Sequence, residues 1–304
     1  MSASSPATVV ISDPHQPLST RRQVMGAYVA LTKPRIIELL LITTVPPMVL
    51  AADGWPGTWL VLATLIGGTL SAAGANVLNN FVDRDIDQLM ARTSRRPLPR
   101  HQVPPLNALR YGIGLGAAGF FWLWAFTNIL AAVLSTAALL FYVFVYTILL
   151  KRSTRQNIVI GGAAGAAPVL VGWAAVAGSL SLSAWILFAV VFYWTPPHFW
   201  ALAIRYKDDY AKAEIPMLPV VASERATKLQ VLWYSAVMVL ISLALAPVAD
   251  MGWIYLAAAI GLGVWFMIDA FAVFRDHDLA MRLFRTSTIY LAVLFAAVWI
   301  DVVV

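Results

Sequence analysis

A chain of 304 residues that is 61% hydrophobic and only 12% charged carries more apolar material than a water-soluble core of its size can bury. Its formal net charge of +6 would suggest nucleic acid in a soluble domain, but the basic residues here flank apolar runs, so no nucleic-acid partner is implied. The absence of cysteine excludes disulfides, thiolate metal ligands and cysteine nucleophiles.

Residues 1–25 read as a disordered cytoplasmic tail, because the first 22 are rich in Ser, Pro and Thr and hold no apolar core of signal-peptide length. Residues 26–304 then form a single transmembrane domain. A membrane-crossing helix needs about 20 mostly apolar residues. Nine stretches qualify: 36–53, 57–81, 105–125, 128–149, 157–177, 182–203, 227–248, 252–274 and 284–303. The fold class that follows is all-α, a polytopic membrane protein of nine transmembrane helices bundled around a central cavity open to the cytoplasmic side.

Charge supports the count. All 21 Lys and Arg residues fall on one side of these spans, whereas the opposite side holds only Asp53, Asp250 and Asp301. By the positive-inside rule the N-terminus is cytoplasmic and, with an odd number of spans, the C-terminus is external, as expected across a cell inner membrane. The connections between the second and third spans and between the sixth and seventh each run to about twenty residues, long for a bundle and a mark of function. They are four spans apart on the basic side, which suggests parallel pseudo-repeats, roughly 30–150 and 155–275, around a shared cavity.

The first of these connections begins NVLNNFVDRDIDQLMARTSRRPLP from Asn76. Asn79, Asp83 and Asp87 recur every fourth residue and stack on one face if the helix continues past the membrane edge. Such a cluster suits Mg, which binds through one or two carboxylates plus substrate phosphates. Arg92, Arg95 and Arg96 follow as anion partners.

The second, YWTPPHFWALAIRYKDDYAKAEIPMLP from Tyr193, reads as a helix broken at Pro196 and Pro197, a feature tolerated where backbone lines a cavity. His198 follows the break among aromatic residues, where an interfacial hydrogen-bonding role is the plain alternative to ligation. Asp208 and Asp209 offer a second carboxylate pair, with Lys207 and Lys212 as counter-charges. Two facing acid clusters with arginines nearby are what a diphosphate ester of a lipid-soluble chain requires: metal neutralises the leaving group while the apolar tail lies among helices.

These two segments, with LTKPRI at Leu31 and YTILLKRSTRQNIVIGGAAGAAP at Tyr146, resemble the UbiA-type intramembrane prenyltransferases over nearly everything after residue 25. The family's first motif falls on Asn79, Asn80, Asp83 and Asp87, with Asn80 replacing one acid as in the heme-modifying branch. In the second motif the later acid falls on Asp209, and Arg205 stands where the earlier one belongs, with Asp208 as the compensating acid. His198, in Pro-Pro-His-Phe, is similar to the heme branch and not to enzymes that prenylate quinone precursors.

The resemblance implies transfer of farnesyl from farnesyl diphosphate to the vinyl carbon of heme B, with water capturing the product as heme O. It implies Mg held by Asn79, Asp83, Asp87, Asp208 and Asp209, with Asn76 in the same pocket. Arg92 and Arg96 would grip diphosphate or heme propionates bidentately, and Lys151 and Lys207 are further substrate-binding candidates. His198 would be an iron ligand, a propionate partner or a base for water. A heme A synthase or an oxidase assembly factor would be a natural partner, alongside membrane lipid. Two other functions fit parts of the pattern: a prenyltransferase acting on an aromatic such as 4-hydroxybenzoate, and a secondary transporter, which also uses repeats, a broken helix and intramembrane acids. Gly161 and Gly165 read as a close-packing face, and Glu38 and Asp269 as membrane-embedded acids, either functional or simply paired with Lys33, Arg35 or Arg275.

Overall fold

The computed structural model describes residues 20–304, so most of the expected tail, residues 1–19, lies outside the described residues. Arg21 to Met25, assigned to that tail from sequence, instead form the first turns of α1 (Arg21–Leu31). Thr20 and Gln23 explain the start: each side chain takes the other's backbone N–H, a reciprocal cap that satisfies two donors the first turn would leave free.

Among the described residues every element is helical. The first crossing is made of α2 (Pro34–Ile42) and α3 (Val45–Ala52), bent between them. Pro46 and Pro47 cannot donate to the preceding turn, and Thr43 and Thr44 turn their hydroxyls back onto the carbonyls of Leu39 and Leu40. Then come α4 (Thr58–Val82), α5 (Pro105–Phe126), and α6 (Ile129–Leu140), which runs on into a π-helix over Phe141–Leu150. After them lie α7 (Asn157–Ala177), α8 (Leu182–Arg205), the short α9 (Lys207–Lys212) and α10 (Leu218–Val221), and the closing hairpins α11 (Glu224–Val248), α12 (Trp253–Arg275) and α13 (Ala280–Val303).

Among the described residues eight helical segments are long and apolar enough to cross a membrane, not nine. The exception is α5. It forms where a span is expected, but Asn107, Arg110 and four glycines stand where apolar side chains would. Three of those glycines, Gly112, Gly116 and Gly119, serve packing. A Cβ on Gly119 would come within 2.8 Å of the Ser71 backbone nitrogen, and one on Gly74 of α4 within 2.8 Å of the Gly112 carbonyl and the Gly116 nitrogen. Backbone meets backbone here, the arrangement small residues permit between membrane helices. Gly119→Ala is therefore expected to lower the melting temperature in detergent, at a cost of roughly 1–3 kcal/mol for overpacking; an unchanged melt would show that the two helices can separate freely.

The sequence also places a break at Pro196 and Pro197, yet α8 runs through both as one helix. The prolines only remove donors to the carbonyls one turn earlier, and close packing against α7, α11 and α13 holds the axis. Asp269, buried on α12, pairs not with Arg275 but with Arg282 of α13, 2.7 Å away, and accepts from the Thr286 hydroxyl at 2.5 Å. Glu38 lies exposed on α2.

Candidate functional site

A cavity of about 630 Å³ lies between α2, α4, α7, α8 and α13, within the range that takes small-molecule ligands. Its wall is mostly apolar. Charge collects at one end, where α1, α4, the π-helix and the residues after α4 come together.

Helix α4 brings Asn79 to this end and stops at Val82, so Asp83 caps it and Asp87 sits on a short 3₁₀ turn (Ile86–Gln88) rather than on a continuing helix. Backbone bonding still carries the chain around, from Asn79 O to Asp83 N and from Asp83 O to Asp87 N, both 2.9 Å. Asp83 is fully buried. Its Oδ2 accepts from Asn79 Nδ2 at 2.7 Å and from Lys151 Nζ at 2.5 Å, while its Oδ1 has no hydrogen-bond partner and Arg152 stands 3.9 Å away. Asp87, buried as well, accepts from Arg96 at 2.7 Å, and Thr93 donates to its carbonyl, folding the arginine-bearing loop back over the cavity. Arg92 lines the cavity and reaches Tyr210 of α9 at 3.4 Å; Arg95 is exposed and is not part of the lining.

Outside the cavity the same pattern continues more weakly. Arg152 grips both oxygens of Asp85 (2.6 and 2.7 Å), and this bond holds the Asp85 carboxyl down at about 2.

Lys33 is the cation that the motif does not announce. Its ammonium donates to Asn79 Oδ1 at 2.6 Å, and burial pushes its pKa well below the usual lysine range, with Arg96 and Lys151 acting in the same direction. Its backbone is left-handed (φ 54°), which is costly for a non-glycine residue and more so before a proline. Asn76 and Asn80 hold it there by donating to the carbonyls of Thr32 and Leu31 (2.9 and 2.8 Å). Asn76, expected to bind substrate, does line the cavity, but its amide nitrogen is committed to this turn.

The π-helix brings a third group: Lys151, already a candidate from the resemblance, and two tyrosines that pattern reading misses. Each π turn adds a residue to the α-helical one, so Tyr142, Tyr146 and Lys151 all reach the cavity, with the tyrosine rings stacked at 5.4 Å. Thr147 donates to Tyr142 O and takes Asn79 Nδ2, locking the π-helix to α4. Wide turns carry no composition signal; only their frequency at functional sites could have pointed here.

Across the cavity, His198 is buried between the rings of Trp194 (4.1 Å) and Phe284 (4.4 Å). Its Nδ1 lies 2.6 Å from Ser287 Oγ, whose own proton goes to Phe284 O at 2.7 Å. That network assigns the ring proton to Nδ1 and leaves the Nε2 lone pair as the edge facing the cavity.

The second acid pair does not join the first. Asp208 and Lys207 are exposed, and neither they nor Asp209 are among the residues around the cavity. On the short helix α9 only Tyr210 turns inward, against Ile86 and Met90. The two aspartates stand in its first turn, where negative charge favours a helix start. Gly161 and Gly165 also part company: a Cβ on Gly161 would strike the Tyr146 ring, as close packing requires, whereas one on Gly165 would meet nothing and project into the cavity.

Residues 40–300 match the UbiA prenyltransferase family. The chain is 55% identical over 276 residues to a protoheme IX farnesyltransferase of Parafrankia sp. (strain EAN1pec), covering 89% of this chain and 88% of that one. It is 51% identical over 292 residues to another from Mycobacterium sp. (strain KMS), covering 94% of each. Among solved structures it is similar to a digeranylgeranylglyceryl phosphate synthase (TM-score 0.77, 17% identity, 92% of this chain and 99% of that one). It is also similar to a UbiA homolog from Archaeoglobus fulgidus bound to GPP and Mg2+ (TM-score 0.62, 16% identity, 90% and 99%).

Proposed function

The chain belongs to the UbiA prenyltransferase family, a multi-pass membrane enzyme, and from that premise we propose that it transfers farnesyl from farnesyl diphosphate to the vinyl group of heme B, with hydration, giving heme O. The observation that carries the reading is one cavity with two unlike ends: cations and carboxylates around Asn79, and a buried aromatic wall presenting a histidine lone pair.

The residues at the first end fit a divalent cation, because Asp83 Oδ1 is a buried carboxylate oxygen with no hydrogen-bond partner. Asn79, Asp83 and Asp87 would hold Mg, which when bound supplies Lewis-acid neutralisation of the departing diphosphate. Lys151, Arg92 and Arg96 bind the same leaving group, the arginines through paired N–H donors. The C1–O bond of the allylic diphosphate breaks with its electron pair going to diphosphate. Farnesyl C1 then bonds to the terminal vinyl carbon, and the cation left beside the porphyrin ring takes the oxygen of a water, which gives up a proton. The stacked Tyr142 and Tyr146 rings offer π-faces to the first cation, and the apolar wall keeps water from it. An Nε2 lone pair suits ligation of the heme iron; a propionate would need a donor there.

The gathering of all basic residues on one side supports a cytoplasmic N-terminus, an external C-terminus and an inner-membrane setting, with α5 as a weakly apolar ninth crossing. Heme A synthase or oxidase assembly factors remain the partners expected from the chemistry of the product. Membranes containing the protein should convert heme B and farnesyl diphosphate, with Mg, to a heme heavier by a farnesyl group and a hydroxyl, seen by mass spectrometry. Prenylated 4-hydroxybenzoate in its place would replace heme as acceptor, and solute flux into proteoliposomes without any product would favour a transporter.

A further inference from the structure

Resting on that reading, we propose that the site works with a single divalent cation, and that Lys33 supplies the positive charge a second one would bring, leaving Asn79 Oδ1 to the metal when diphosphate enters.

Three observations converge. The carboxylates that would hold a second ion are absent from the cavity: Arg205 occupies one motif position, Asp208 is exposed, and Asp209 is not part of the lining. Cationic side chains are instead in excess, since Lys33, Arg35, Arg92, Arg96 and Lys151 reach the cavity against the carboxylate of Asp87 and that of Asp83 just behind it. A diphosphate ester carries about three negative charges at neutral pH, so this surplus already matches it. Of the two motif oxygens left without a hydrogen-bond partner, Asn80 Oδ1 and Asp83 Oδ1, only that of Asp83 belongs to a carboxylate. One cation answers it.

Lys33 is placed to make the exchange. Its Nζ sits on Asn79 Oδ1, the very atom an amide offers a metal, at 2.6 Å. The strained turn that carries it is tied down by Asn76 and Asn80 through the backbone, leaving the side chain free to change partner without moving the turn. A metal at Asn79 and an ammonium at Asn79 exclude each other, and a phosphate oxygen beside the metal gives the ammonium a stronger acceptor than an amide.

The test is a titration of the purified full-length protein in detergent with Mn2+, followed by the EPR signal of the free ion, with and without saturating farnesyl thiodiphosphate and with no heme present. One Mn2+ per chain is expected with the analogue. Two would overturn the single-cation inference while leaving metal-assisted transfer intact, and none would overturn both. An Asp208→Asn/Asp209→Asn variant should keep the stoichiometry; loss of an ion would return those residues to the site. Lys33→Met should bind Mn2+ more tightly without the analogue, the competitor for Asn79 being gone, and bind the analogue roughly ten- to hundredfold more weakly. Lys33→Gln, which keeps a donor to Asn79 but no charge, should lose analogue affinity alike. Analogue affinity unchanged in both variants would remove Lys33 from the proposal.

Discussion

Asp83→Asn is expected to lower the rate of heme farnesylation on the order of 10²–10³-fold or more while the protein still inserts and folds. The substitution is close to isosteric, and the surroundings accommodate it. The amide oxygen can take the place of Oδ2, accepting from Asn79 Nδ2 and Lys151 Nζ, and the amide nitrogen falls where Oδ1 now has no partner to be displaced. Folding is thus spared the larger penalty of an empty buried site, although Lys151 loses its counter-charge. Chemistry is not spared, because the oxygen converted to an amide nitrogen is the buried one with no hydrogen-bond partner, the atom left to bind a cation, and a neutral amide binds one far more weakly. The measurements are product formation over a range of Mg concentrations, together with gel filtration and thermal melting to show an intact fold. Asp85→Asn is the control: that carboxylate is exposed, bonded to Arg152 and outside the cavity, so activity should stay near wild type. Full activity in Asp83→Asn would take Asp83 out of the mechanism.

How much of this was legible beforehand depends on the kind of signal. Span positions and the acid-then-base order after α4 were legible, because hydropathy and charge are properties of local composition. The π-helix was not: FYVFVYTILL has the same apolar character in either winding, and only the coordinates reveal that Tyr142, Tyr146 and Lys151 share a face. Lys33 was invisible as a site residue for a related reason, since its role comes from a strained turn held by amides 44 and 49 residues away. Asp208 and Asp209 misled in the opposite sense. An acidic pair after a membrane helix reads as a ligand set, but the six residues of α9 present Tyr210 to the interior and leave the acids at a solvated helix start. The prolines of α8 misled too, because packing against neighbouring helices keeps continuous what propensity alone would break. Gly112, Gly116 and Gly119 explain the remaining gap: a helix that gives up side chains for close contact with its neighbours is less apolar than one that does not.

His198→Ala should abolish the specific optical signature of heme B bound to the protein and with it nearly all transfer, whereas binding of farnesyl thiodiphosphate should be unchanged. The split follows from where the ring sits. Trp194 and Phe284 stack on the ring and Ser287 takes Nδ1, so the ring atom with free capacity is Nε2, and neither His198 nor its partners bond to the charged residues around Asn79. Ser287→Ala sharpens the argument. It keeps the imidazole but removes the acceptor for Nδ1–H, the kind of supporting bond whose loss weakens a metal–histidine bond by roughly 10–100-fold. Titrating heme B into the three proteins and following the Soret band should therefore rank them: wild type tightest, Ser287→Ala intermediate with a shifted band, His198→Ala weakest with the spectrum of unligated heme. A structural role alone predicts another order. If the ring merely fills space between Trp194 and Phe284, His198→Ala and His198→Phe should behave differently, with the phenyl ring restoring heme binding and turnover. An iron ligand cannot be replaced that way, so recovery in His198→Phe would overturn the assignment, and continued loss there, with the fold intact by thermal melting, would support it.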